Sequence, residues 1–250
     1  MPSVEGKFPT FHAFASASLN EIYGDKLNSA FHVVANHLES GVWMNRPGEN
    51  GTPRFEWIPF PRIAQIAPTY GVVVQDFNGD QIPDIHLVQN FYSTQPETGL
   101  WRGGLSQLLM GKGDGAFAPV SPRESGIIIP DDGKSSALVD LDGDHQPELV
   151  ATQNNGPTLK FQQQASPFKA ISLKGATGNK HGIGAIISLD FSDRKSTVHE
   201  LKAGSGYLGQ SPAMIYTTGS DLKAVTVRWP DGHQASYPAR FDSNLMTIKR

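Results

Sequence analysis

Two nine-residue stretches of this chain share one form and lie 64 residues apart: DFNGDQIPD from Asp76 to Asp84, and DLDGDHQPE from Asp140 to Glu148. Each sets oxygen-bearing side chains at alternate positions around a glycine and closes on proline followed by an acid. Asp76, Asn78, Asp80 and Asp84 supply them in the first loop; Asp140, Asp142, Asp144 and Glu148 supply them in the second. Seven of the chain's 24 acidic residues fall in these two stretches, so the acidity is placed rather than spread.

The likeness continues past the loops. GVVVQ leads into the first and SSALV into the second, and a Gln-Asn pair ending at Asn90 or Asn154 follows each closing acid at the same distance. Short apolar runs bounded by turn residues read as strands. A strand, acidic loop, strand unit used twice predicts a repeat architecture such as a propeller. A weaker half-unit, GVWMNRPGENGTPRFEWIP, stands upstream.

The chemistry of the loops points to a hard cation. Calcium takes six to eight oxygens at about 2.3–2.6 Å, and a tight loop supplies them from alternate residues. The candidate donors are Asp76, Asn78, Asp80, the carbonyl of Ile82 and Asp84, then Asp140, Asp142, Asp144, the carbonyl of Gln146 and Glu148. That makes two Ca2+ sites. Gly79 and Gly143 stand where the chain must turn sharply, and Pro83 and Pro147 stiffen the exits. An EF-hand is excluded: its glycine stands at position 6, its closing Glu at position 12, and helices flank it. With four carboxylates against three, the second loop is expected to bind more tightly. His145 is expected to face water.

The rest of the composition narrows the class. Gly and Pro, 26 and 18 residues, separate many short apolar runs, which predicts a mainly β protein. A formal charge of −3 with no basic block argues against nucleic acid as a partner. No apolar run reaches the length of a membrane span. There is no cysteine, hence no disulfide and no thiolate chemistry. The first residues, MPSVEGKFPTFHAF, show no signal peptide. Apolar residues from Leu19 to Leu38 recur near a 3.6 period and predict a helix over Ser18–Leu38, with Gly24 as a break. The expected organisation is an N-terminal helical segment at 1–40, repeats at 41–165 and a second β domain at 166–250, with the boundary near Ala165–Pro167.

The two loops resemble the calcium loops of FG-GAP/VCBS repeats, which build the blades of β-propellers. LKGATGNKHGIGA (173–185), GSGYLGQSP (204–212) and VRWPDG (227–232) resemble the ASPIC/UnbV domain that follows such repeats. The resemblance implies a mainly all-β fold, with partial propeller blades followed by a small ASPIC/UnbV-like β domain. Tyr216-Thr217-Thr218-Gly219 stands where that family has a Phe-Gly-Leu-Gly-like turn. Because a closed propeller needs about four to eight blades, the chain reads as a fragment whose open blade edges invite self-association.

No catalytic constellation emerges. Gly209-Gln210-Ser211-Pro212 is not a nucleophile elbow, since Pro212 has no N–H for an oxyanion hole. Gly133-Lys134-Ser135 lacks the first glycine of a phosphate loop. Trp229 reads as core. The expected function is a calcium-stabilised, non-catalytic extracellular or cell-surface adhesion module whose partner is a protein or a glycan. The alternative is a saccharide-acting enzyme, with Tyr92, Trp101 and Arg102 of the 91–104 loop stacking on sugar.

Overall fold

The computed structural model describes residue 4 and residues 6–163, 168–192, 196–218 and 221–250. The chain divides into two compact units, Met1–Leu38 and Glu39–Arg250.

Within the first unit the helix expected over Ser18–Leu38 forms as far as its expected break at Gly24 and does not resume as a regular helix beyond it. Helix α1 (Phe11–Ala15) is capped by Thr10, and α2 (Leu19–Tyr23) by a capping box between Ser18 and Glu21. Gly24 then takes φ 54°, and a 3-10 turn over Gly24–Ser29 follows. Residues 31–38 have no regular structure. The physical reason is cover: Phe31, Val33, Val34 and Leu38 are exposed, and short helices are marginal without a packed face.

Among the described residues the second unit is built of antiparallel sheets, with one parallel pairing. Strands β1 (Gly41–Pro47) and β2 (Pro53–Pro59) form a hairpin in which Trp43 opposes Trp57. Strands β3 (Thr69–Gln75), β4 (Asp84–Gln89), β5 (Gln107–Gly111) and β6 (Phe117–Val120) form a four-stranded meander. A capped turn of helix, α3 (Pro122–Ser125), leads on to a three-stranded meander of β7 (Asp132–Val139), β8 (Glu148–Asn154) and β9 (Leu159–Phe161).

The sequence repeat is a structural repeat. Gln75 pairs with Asp84 in the first hairpin, and Val139 with Glu148 in the second, 64 residues on. Both ladders slip at the same place, between Thr69 and Gly71 and between Gly133 and Ser135. The two leading strands lie against each other: a Cβ on Gly71 would come 2.9 Å from the backbone nitrogen of Ser136. Only glycine permits that approach.

The C-terminal portion is a two-layer β structure. One sheet has the order β13 (Met214–Thr217), β10 (Lys169–Lys174), β16 (Leu245–Lys249), with β10 and β16 parallel. The other has the order β12 (Thr197–Glu200), β11 (Ile186–Phe191), β14 (Leu222–Arg228), β15 (Gln234–Pro238). Alternation decides what goes inside: Ile187 and Leu189 from β11 and Val225 and Val227 from β14 meet Ile171, Leu173 and Ile248 of the facing sheet. Trp229 joins them at 3% exposure, as the sequence predicts.

The domain boundary expected near Ala165–Pro167 lies outside the described residues. On either side of it the chain enters one shared core. Val73, Val88, Leu138 and Leu149 of the two hairpins pack with Phe168, just before β10, and with Ala170 and Tyr216 of the C-terminal sheet.

Candidate functional site

Each acidic loop joins the two strands of its hairpin, and the two loops use the same hydrogen bonds. Oδ1 of the first acid accepts from the glycine N–H, Asp76 from Gly79 at 2.7 Å and Asp140 from Gly143 at 2.8 Å. Its Oδ2 accepts from the sixth residue, Asp76 from Gln81 at 3.0 Å and Asp140 from His145 at 3.1 Å. Asn78 and Asp142 accept from the N–H of Asp80 and Asp144, which in turn accept from Ile82 and Gln146. The closing acid reaches back to the second residue, Asp84 to Phe77 at 2.8 Å and Glu148 to Leu141 at 3.0 Å.

The backbone follows suit. Gly79 and Gly143 have φ of 85° and 81°, and Gln81 and His145 have φ of 62° and 65°. This turn demands left-handed geometry at two places, only one of which is glycine.

The side chains are gathered differently in the two loops. Asp140, Asp142 and Glu148 present oxygens that all lie within 4.8 Å of one another. Among the described residues no such grouping includes Asp76, Asp80 and Asp84, and Asn78 donates to Asp80 at 3.0 Å. Asp144 stays outside the second cluster. Asp84 is fully buried, and its second oxygen accepts from Gly111 at 2.8 Å. Burial pushes its carboxyl above the ordinary range, opposed by the Gly111 and Phe77 N–H groups and reinforced by Asp80 and Asp76.

Several partners were not legible from the motif. Lys160 on β9 donates to Glu148 at 3.0 Å. The strand register that sets Val150 opposite Lys160 was the available signal. His145 does not simply face water: its Nδ1 lies 3.3 Å from Asp140 Oδ2. Residues next to the C-terminal strands also grip both loops. Thr218 donates to Asp76, Gln81 donates to Asp221 at 3.1 Å, and Gln146 exchanges two hydrogen bonds of 3.0 Å with the backbone of Phe168. No local pattern announces these contacts. Tyr216, packed beside the second loop, has its hydroxyl pushed up to about 12 by burial and then by the charges of Asp140 and Glu148. Tyr216 and Thr217 belong to β13 rather than to a turn, and Gly219 lies outside the described residues.

The three carboxylates of the second loop lie close enough together that they could hold a metal ion, and an all-oxygen donor set of this kind suits hard cations. In the first loop every candidate side chain is likewise an oxygen donor.

Of the 91–104 loop, Trp101 is half-exposed and pairs with Phe91 through two backbone hydrogen bonds. The hydroxyl of Tyr92 is tied to the Pro130 carbonyl at 3.1 Å. Among the described residues no helix is long and apolar enough to cross a membrane.

Comparison with known proteins agrees with this geometry at the C-terminal end. Residues 175–242 match the family model described as "ASPIC and UnbV". They take in β11 to β15 and the glycine-rich connections between them. Over 195 residues the chain is 24% identical to cartilage acidic protein 1 of Homo sapiens, a match covering 75% of this chain and 29% of that protein. The chain thus spans under a third of the length of the curated relative that it matches.

Proposed function

We propose that this chain is a calcium-stabilised, non-catalytic binding module of an extracellular or cell-surface protein. In this reading the two meanders are FG-GAP/VCBS-type blades of a propeller, residues 41–165, and residues 166–250 are an ASPIC/UnbV-like domain docked on them. The observation that carries it is the duplicate loop: one hydrogen-bond scheme, used twice at a spacing of 64 residues, with carboxylates at alternate positions.

Asp76, Asn78, Asp80, the Ile82 carbonyl and Asp84 would hold one ion. Asp140, Asp142, Asp144, the Gln146 carbonyl and Glu148 would hold the other. Bound calcium supplies charge neutralisation and a rigid fix for the turn. Sites of this kind fill at extracellular calcium levels, and the likeness to cartilage acidic protein 1 supports the same compartment.

Calorimetric titration of the chelator-treated chain tests the reading. Two calcium equivalents with a matching rise in melting temperature are expected. No calcium heat, and the same melting temperature in calcium and in chelator, would overturn it.

A further inference from the structure

Away from the acidic loops, four aromatic rings from three separate stretches form one continuous row. Trp101 and Phe91 lie 6.0 Å apart between ring centres, Phe91 and Tyr70 5.8 Å, and Tyr70 and Tyr207 6.1 Å. The middle two rings are half-buried, whereas Trp101 and Tyr207 at the ends are 48% and 65% exposed. An exposed Trp and Tyr sharing one supported row is not what random surface exposure gives.

The row is held rigid from below and from both sides. The Lys134 ammonium sits 3.9 Å from the Tyr70 ring centre and 5.3 Å from that of Phe91, a cation–π contact with both middle rings. Lys134 is paired with Asp132, so no net charge is left beneath the rings. Trp101 is fixed by reciprocal backbone hydrogen bonds with Phe91, of 2.9 and 3.0 Å. The loop these bonds close is tightened by Thr94 donating to Gly99 at 2.5 Å. At the other end Ser135 donates to the Leu208 carbonyl at 2.8 Å, which pins the turn that carries Tyr207.

We propose that this row is a binding site for a neutral oligosaccharide. The apolar C–H faces of pyranose rings stack on aromatic faces, and the indole N–H and phenol O–H at the two ends supply polar handles for hydroxyls. Rigid aromatics lose little side-chain entropy on binding. The Lys134–Asp132 pair fixes ring orientation and cancels its own charge, so the two middle rings present apolar faces that suit a neutral sugar, and the exposed Arg102 beside Trp101 is a donor for its hydroxyls. The site uses none of the acidic-loop residues and does not depend on calcium chemistry.

The test starts from the full chain on an array of neutral and acidic oligosaccharides, followed by calorimetry on the strongest neutral binder. Trp101→Ala and Tyr207→Ala are each expected to weaken binding about tenfold or more, while Trp101→Phe keeps most of it. Both end residues are exposed, so their variants fold, which melting curves check. The proposal fails if no neutral oligosaccharide binds at millimolar concentration, if binding survives both alanine variants unchanged, or if only acidic glycans bind. It also fails if Trp101→Ala abolishes self-association in a chain that binds no glycan, because the face then joins copies of the protein.

Discussion

The ammonium of Lys160 lies 3.0 Å from Oε1 of Glu148, a carboxylate with no exposure to solvent. The second acidic loop therefore carries its own organic cation at the acid that closes it. Asp84, in the matching place of the first loop, is met by the Gly111 N–H instead. Counting carboxylates alone makes the second loop the stronger calcium site. With Lys160 included, four negative groups and one positive leave the same balance as the three carboxylates of the first loop.

Lys160→Gln is accordingly expected to raise the calcium affinity of the second loop by about three- to tenfold, a range reduced because the amine is half-exposed and screened. Titration should show one of two sites shifting and the other standing still. An unchanged or weakened second site would mean that Lys160 orients Glu148 rather than competing with the ion.

The Lys160→Gln background also decides the ordering of the two loops. In the parent chain, Asp144→Ala and Asp80→Ala should remove similar amounts of the calcium-dependent rise in melting temperature. In Lys160→Gln, Asp144→Ala should remove more. At a hundredfold excess of free calcium over the dissociation constant, one site stabilises the fold by about 2.7 kcal/mol. Differential scanning calorimetry with calcium and with chelator reads each loss against that figure.

How much of this was legible in the sequence follows from the range of the interactions. The loops, their flanking strands and the 64-residue register were readable because alternate oxygens, the glycine and the closing acid all act within nine residues. Trp229 was readable as core because alternating apolar residues precede it. The helix expected over Ser18–Leu38 was legible up to its break at Gly24 and not beyond Ser29, because periodicity records which face is apolar, not whether anything covers it. Phe31 and Leu38, about 90% exposed, show that nothing in their own unit does. Thr218 at Asp76 and Tyr207 against Tyr70 are contacts between residues more than 130 positions apart. Only the assembled sheets bring such residues together.

Gly71 carries a prediction about packing. A methyl group there would sit 2.9 Å from Ser136 N and 3.0 Å from Ser135 Cα, both backbone atoms that cannot swing aside. Gly71→Ala should cost about 1–3 kcal/mol, the range for overpacking a filled interior. Gly143→Ala tests a different cause, because open space surrounds that position but its φ is 81°. Its loss should be of order 1 kcal/mol and arise from left-handed backbone strain. Denaturant unfolding of both variants in chelator measures the two terms without the ion.

His86 supplies the pH dependence. It lies fully buried on β4, with no hydrogen-bond partner at either ring nitrogen among the described residues, and burial lowers its pKa from 6.5 to about 4. Folded protein therefore keeps the ring neutral at pH values where the unfolded chain has already protonated it. The stabilisation is whole above pH 6.5 and declines as pH falls below 6.5. It is spent once pH passes below about 4, where both states bind the proton. The shift corresponds to roughly 3 kcal/mol over that window. His86→Leu removes the group and fills similar space, so the gap in stability between variant and parent should widen in the variant's favour from pH 6.5 down to about 4 and then level. The acidic loops are the same in both proteins, so their contribution cancels in the difference. A gap that stays constant across the window would mean that the folded state protonates His86 near its ordinary pKa, through water reaching the ring.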